Sequence, residues 1–255
     1  MTEITGDQGV AAAPPPADAL AGKMLVGTFH KSGTMLMFKI FTQIAVRRGY
    51  RLSAPRRRPP IDEWDIFIDA HSRFDTGPLP PTARGIVVIR DPRDIVISGA
   101  HYHARLTPGP PEAWAHIPRP AFGGLTYTQK IASLPDDEAR LSFEMDNMAA
   151  TTLKRMAHFA DPSPTFRTIR FEDLVTDNEL RTFRGMFEWL GLRPQDMDAA
   201  LRIAHANSIF SGQLKTTHVR SGRPEQWREQ FTPALHAQFR RNFGDLAERL
   251  GYPAA

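Results

Sequence analysis

The sequence predicts a single α/β domain, and two observations carry that reading. Short β-leaning segments recur along the chain at Met24–Phe29, Asp65–Asp69, Gly85–Arg90 and Thr165–Phe171, the first three of them apolar. Segments with helical apolar spacing lie between or after them. The run Gly85-Ile-Val-Val-Ile-Arg90 is uninterrupted, the pattern of a strand buried on both faces of a parallel sheet. A chain of 255 residues suits one large domain with a sizeable core.

Composition narrows the function. There are 32 basic against 28 acidic residues, a net charge of +4, which fits an anionic small ligand better than a nucleic-acid coat. Cysteine is absent, so disulfides, thiol catalysis and cysteine-bound metals are excluded. No His, Asp or Glu cluster has metal-ligand spacing, so no metal is expected. No apolar run approaches a membrane span. Residues 1–20 are rich in Ala and Pro and lack a basic leader region, and we expect a disordered tail there, not a signal peptide. A cytoplasmic enzyme is the expectation, and the oligomeric state is left open.

The first strand, Met24–Phe29, runs into His30-Lys31-Ser32-Gly33-Thr34. A helix follows, with apolar residues at Leu36, Met37, Ile40, Phe41 and Ile44, and closes near Arg48-Gly49. Strand, tight turn and helix together form the unit that cradles phosphates. Turn N–H groups and the positive helix end face one point. Lys31 adds a full charge, and Ser32 and Thr34 add hydroxyls. The order differs from the ATP-type loop, in which Gly directly precedes Lys and then Ser or Thr. The plainer alternative is a strand-to-helix turn with an incidental lysine.

Ser53 to Pro60, with Arg56, Arg57 and Arg58, reads as a solvated basic loop; the alternative is a docking patch for an acidic substrate. The second strand, Asp65–Asp69, exits into Ala70-His71. A histidine there lies at the edge where parallel sheets carry chemistry, although lone histidines are often structural. The third strand exits into Arg90-Asp91-Pro92-Arg93-Asp94 and a helix to His103. Asp91 suits the N-cap and Pro92 the first helical position. Arg90 at the strand end and Ser98 two turns into the helix are within reach of one phosphate, as a fork and a hydroxyl donor. The alternative for Arg90 is pairing with a nearby carboxylate.

Tyr102 to Asp137, rich in Pro and Gly with Trp114, Phe122 and Tyr127, reads as a long irregular loop that covers an acceptor. One helix is expected from Asp136 or Asp137 through Phe159, then the strand Thr165–Phe171. Further helices are expected from Leu180 to Leu190, from Pro194 to about Ala206, and from Ala234 to Leu250.

Two of these segments carry a resemblance. Thr28-Phe-His-Lys-Ser-Gly-Thr34 resembles the 5′-phosphosulfate loop of the bacterial-like, cytosolic-type sulfotransferases, T-Y-P-K-S-G-T-T-W. Arg90-Asp-Pro-Arg-Asp-Ile-Val-Ile-Ser98 is similar to that family's 3′-phosphate motif, R-(N/D)-P-R-D-x-x-x-S. Phe171-Glu-Asp-Leu174 resembles its Y-E-D-L segment. Arg220-Ser-Gly222, with Trp227 and Phe231-Thr232, resembles its R-K-G-x-x-G-x-W-(K/R)-x-x-F-T element.

The resemblance implies a P-loop-like three-layer α/β fold over residues 21–255, with a central parallel sheet of about four or five strands flanked by helices. It implies transfer of a sulfuryl group from 3′-phosphoadenosine 5′-phosphosulfate (PAPS) to an acceptor hydroxyl or amine, leaving 3′,5′-adenosine bisphosphate (PAP). The acceptor would be a small molecule, glycan or lipid. Nucleotide contacts would come from Lys31, Ser32, Gly33, Thr34, Met35, Arg90, Ser98, Phe171, Arg220, Ser221 and Gly222. Lys31 would meet the bridging oxygen as charge builds there. His71 would be the general base, since Asp69-Ala70-His71 stands where the family has K-T-H. Several positions depart from the family: Asp69 for Lys, Met35-Leu36 for Thr-Trp, Phe171 for Tyr and Ser221 for Lys. A P-loop nucleotide kinase and a non-catalytic nucleotide-binding relative remain the alternatives.

Overall fold

The computed structural model describes residues 22–54, 64–74, 78–109, 112–161, 163–212 and 222–254. The Arg56–Arg58 loop, Arg220, Ser221 and the N-terminal tail lie outside them. The described strands are β1 (Met24–Gly27), β2 (Leu52–Ser53), β3 (Ile66–Asp69), β4 (Arg84–Ile89) and β5 (Phe166–Arg170). They form one sheet in the order β2-β3-β1-β4-β5, and every neighbouring pair is parallel. No helix of the described residues is long and apolar enough to cross a membrane.

The helices are α1 (Thr34–Arg48), α2 (Pro92–His103), α3 (Tyr127–Ala132), α4 (Asp137–Asp146), α5 (Met148–Met156), α6 (Phe171–Val175), α7 (Arg181–Leu190), α8 (Met197–Asn207), α9 (Trp227–Gln230), α10 (Pro233–Phe243) and α11 (Leu246–Arg249). Strand alternation divides the core. Met24, Val26, Ile66, Ile68, Ile86 and Val88 pack with Met37, Ile40, Phe41 and Ile44 of α1 and with the apolar faces of α7 and α8. Val87 and Ile89 point the other way, against α2, α4, α5 and α10. The result is three layers, helix on sheet on helix.

The parallel register positions the site. Gly27 pairs with Asp69 on one side and Val87 on the other. The chain therefore leaves β1, β3 and β4 at one edge of the sheet, and it delivers the His30–Thr34 turn, His71 and Arg90 to that edge.

Three expectations need correction. The segment Tyr102–Asp137 is not irregular: it carries 3₁₀ turns at Ala113–His116 and Pro120–Phe122, and α3 with a Thr126/Gln129 capping box. Its aromatics pack on one another, with Trp114 and Tyr127 centroids 5.2 Å apart and Tyr127 buried. The helix expected through Phe159 breaks at Asn147, whose side-chain amide donates to the Phe143 carbonyl at 2.7 Å. The last helix breaks at Gly244 into α10 and α11.

Candidate active site

The turn after β1 is fastened from within. The Ser32 hydroxyl is fully buried, accepts the Phe29 N–H at 2.8 Å and lies 2.8 Å from the Val88 carbonyl, to which it donates. It thus ties the loop to β4 rather than facing outward. Thr34 Oγ1 lies 3.0 Å from the Phe29 carbonyl and 2.9 Å from Thr28 Oγ1. Gly33 takes φ 99° and caps α1. The first N–H groups of that helix, at Thr34 and Met35, have no acceptor within it. The Met35 side chain is exposed.

Lys31 Nζ sits 3.7 Å from the centre of the Tyr102 ring. Burial first, then the Arg90 charge, lowers its pKa to about 8. Arg90 is 5 % exposed. Its Nη1 donates to the Lys31 carbonyl at 3.2 Å, and its guanidinium lies 5.0 Å from the Phe171 ring centre. The nearest carboxylate contact is long, Nη2 to Asp94 Oδ2 at 3.7 Å. Arg90 Nε and Asp94 Oδ2 are buried without a hydrogen-bond partner. Burial raises the Asp94 pKa to about 6, with Arg90 pulling the other way. The alternative in which Arg90 pairs with a neighbouring carboxylate is thus met only by this long contact to Asp94.

The rest of the R-D-P-R-D segment is scaffold. Asp91 accepts the Arg93 N–H at 2.9 Å as the N-cap of α2, and forms a two-pronged buried pair with the Arg93 guanidinium at 2.9 and 2.7 Å. Arg93 also donates to the Pro253 carbonyl and stacks 3.5 Å from Trp227. The Trp227 backbone N–H donates to Asp94 Oδ1 at 3.1 Å. Glu172 accepts the Asp91 N–H and the Tyr252 hydroxyl. A cavity of about 400 Å³ lies beside this network, lined by Asp91, Arg170, Glu172, Asp173, Glu225 and Tyr252. Its wall carries four carboxylates against one arginine, which disfavours an anionic ligand there.

Ser98 is half-buried on α2. Gly222 is described, with φ 62°, next to the undescribed Arg220 and Ser221.

His71 stands on a turn that Asp69 builds. The Asp69 carboxylate accepts N–H groups from His71 at 2.7 Å and from Arg73 and Phe74 at 3.1 Å. The Ser72 hydroxyl donates to the Thr28 carbonyl at 2.9 Å and pins the turn to the end of β1. Gly27 admits this approach, since a Cβ there would lie 2.5 Å from Phe74 Cζ. His71 is exposed at the surface, and its pKa is lowered, by partial burial of the ring first and then by Arg73 and Arg155.

Sequence reasoning gave no role to His30, His103 or Glu144, yet they form a continuous hydrogen-bonded chain that runs from the half-buried His30 into the core. The available signal was His30, which stands where the T-Y-P-K motif has proline. Nothing local pairs it with His103 or with Glu144.

The described residues thus form a parallel α/β domain in which the strand–turn–helix loop bearing Lys31 and the buried Arg90 meet at one edge of the sheet. The chain belongs to the sulfotransferase domain family, whose model matches residues 66–251. That span includes β3, His71 and the Arg90 segment and begins after the Lys31 loop. No curated protein sequence matches the chain significantly. Among solved structures it is similar to mouse sulfotransferase SULT7A1 complexed with PAP, at 15 % identity over 91 % of this chain and 88 % of that one, TM-score 0.55. It is also similar to retinol dehydratase with retinol and PAP, at 14 % identity over 90 % and 82 %, TM-score 0.51. A retinol dehydratase complex with androsterone and inactive cofactor PAP matches at 14 % identity over 88 % and 80 %, TM-score 0.50. At these identities the likeness is one of fold.

Proposed function

We propose that the protein transfers a sulfuryl group from PAPS to the hydroxyl of a small-molecule, glycan or lipid acceptor in the cytoplasm. The observation that carries this reading is the pairing of Lys31 and Arg90. Arg90 is buried and only weakly compensated, Lys31 is half-buried, and burial and then the Arg90 charge lower the Lys31 pKa to about 8. Such a pair is costly unless a multiply charged anion joins it.

In this reading the N–H groups at the start of α1 and Thr34 hold the 5′-phosphate, while Ser32 acts by fastening the loop. Lys31 meets the bridging oxygen as the S–O bond breaks. Arg90, with Ser98, Arg220, Ser221 and Gly222, receives the 3′-phosphate, and Phe171 stacks beside the adenine. His71 takes the acceptor proton. Little covalent work falls to the protein, and catalysis is positioning and charge stabilisation.

The kinase alternative is disfavoured by Asp91. It is the carboxylate that would hold Mg²⁺ after a strand, and here it is committed to Arg93. The test is thermal unfolding with PAP and, in parallel, Mg²⁺-ATP. PAP at about 100 times its dissociation constant should add roughly 2.7 kcal/mol, and Arg90→Ala should abolish the gain. A rise with Mg²⁺-ATP alone would overturn the reading.

A further inference from the structure

Behind the Lys31 loop, three side chains form an unbroken line, with His103 and Glu144 buried and His30 half-buried. Glu144 of α4 is 1 % exposed, and its Oε2 lies 2.8 Å from His103 Nδ1 on α2 and accepts the Tyr127 hydroxyl at 2.9 Å. His103 Nε2 lies 3.2 Å from His30 Nε2. The two imidazoles are stacked, 5.0 Å between centroids and 7° between planes.

The hydrogen-bond partners assign the tautomers. A carboxylate only accepts, so His103 carries its proton on Nδ1. Neutral His103 then presents a lone pair at Nε2, so His30 donates from its own Nε2. That leaves a bare lone pair on His30 Nδ1. This atom points to the segment after α2, with Glu112 Oε1 at 3.9 Å, too far for a hydrogen bond. His30 also sits edge-on to Tyr102, the ring beneath Lys31 Nζ.

We propose that His30 is a second proton acceptor for the acceptor hydroxyl, with His103 and Glu144 as positioning residues that carry the charge away from the loop. The proposal rests on the sulfuryl-transfer reading above. As the acceptor oxygen forms its bond to sulfur, its proton passes to His30 Nδ1. The His30 Nε2 proton passes to His103 Nε2. The bond from sulfur to the bridging phosphate oxygen breaks, and its electron pair leaves with PAP. The positive charge then rests on His103 against the Glu144 carboxylate.

The relay answers a local difficulty. Burial first, then His103, Lys31 and His71, hold the His30 pKa well below the usual value, so His30 by itself holds a proton poorly. Passing the proton inward puts the charge beside a carboxylate and away from Lys31. His71, exposed on the neighbouring turn, sheds its proton to water instead, so each histidine covers the loss of the other.

The test compares His30→Gln, Glu144→Gln, His71→Ala and His30→Gln/His71→Ala. PAPS consumption is followed with water and with simple phenols as acceptors, and PAP binding by calorimetry. Nitrogen NMR of the imidazoles in the wild-type protein gives a readout independent of turnover. The expected result is a roughly tenfold fall in kcat for each relay variant, with PAP affinity kept within about threefold. The double variant should fall a further hundredfold or so, within the range of general-base effects. NMR should find His30 protonated on Nε2 and His103 on Nδ1. Unchanged kcat in both relay variants would overturn the proposal. So would PAP affinity falling in step with kcat, which would make the chain a mere support for the loop, or a proton found on His30 Nδ1. Failure of the wild-type protein to bind PAP would instead overturn the donor assignment, and NMR would still read the relay.

Discussion

A Cβ on Gly33 would lie 2.9 Å from Cδ2 of Phe171. The missing side chain is what lets an aromatic ring from the end of β5 cover the turn that follows β1. Two independent demands meet at this position, since Gly33 also holds φ 99°. Gly33→Ala should cost about 1–3 kcal/mol of backbone strain and push the Phe171 ring outward. The expected outcome is a melting temperature lower by roughly 2–4 °C per kcal/mol, with PAP affinity down at least about tenfold. Calorimetry on the variant checks both, and unchanged affinity would mean that the ring does not border the nucleotide.

The Lys31 charge sets a basic limit on donor binding. Burial and Arg90 bring its pKa down to about 8, so the free protein loses this cation as pH rises through 8. PAP affinity should therefore be maximal below that value and decline above it. On the acid side, His71 is a base only when neutral, and its pKa is lowered from 6.5. The plot of kcat/KM against pH should be a bell, with its acid limb below 6.5 and its basic limb near 8. Lys31→Arg keeps the charge at all these pH values. It should flatten the basic limb of PAP binding even where it lowers kcat.

What was legible in the sequence follows from where the information resides. β1, β3 and β4 announce themselves as short apolar runs because both faces are buried, β5 at one sheet edge keeps only Phe166 and Ile169 as apolar residues in a β-leaning segment, and β2 at the other edge is two half-buried residues with no pattern to read. The Lys31 loop and Arg90 were legible because their spacing along the chain is local to single strand–turn–helix units. The break at Asn147 was not. Leu141, Met145, Leu153 and Met156 stay in helical phase across it, and the break depends on the Asn147 amide and on the Met148 N–H donating to the distant Tyr127 hydroxyl. The His30–His103–Glu144 chain was hidden for the same reason, since only the folded layers bring its members together.

Asp91 and Arg93 are each 2 % exposed and joined by two short bonds. Removing one partner leaves the other as a buried unpaired charge, at a cost of about 3–5 kcal/mol. Arg93→Met should be the worse of two changes, since it also frees the Pro253 carbonyl and the Trp227 face. Adding Asp91→Asn to it should recover part of the loss, because an amide oxygen still caps α2 while the stranded charge disappears. Thermal unfolding of the single and double variants measures the difference. A double variant less stable than Arg93→Met would show that the buried charge is not the dominant cost.

Asp69 is the sharpest departure from the K-T-H pattern, and the fold gives it a different task from the lysine it replaces. Its carboxylate holds the N–H groups of His71, Arg73 and Phe74, in a turn that forces Ser72 and Phe74 to φ values of 50° and 47°. Restoring the family residue should therefore damage this protein. Asp69→Lys leaves three donors without their acceptor, releases the strained turn and lets His71 swing from the sheet edge. We expect kcat to fall to the level of His71→Ala, with PAP affinity unchanged because the Lys31 loop and Arg90 are untouched. In a His71→Ala background the same substitution should cost nothing further in kcat, since residues that act through one another are not additive. A double-mutant cycle on these two positions measures the coupling. Independent, additive losses would mean that Asp69 serves the reaction by some route other than holding His71 in place.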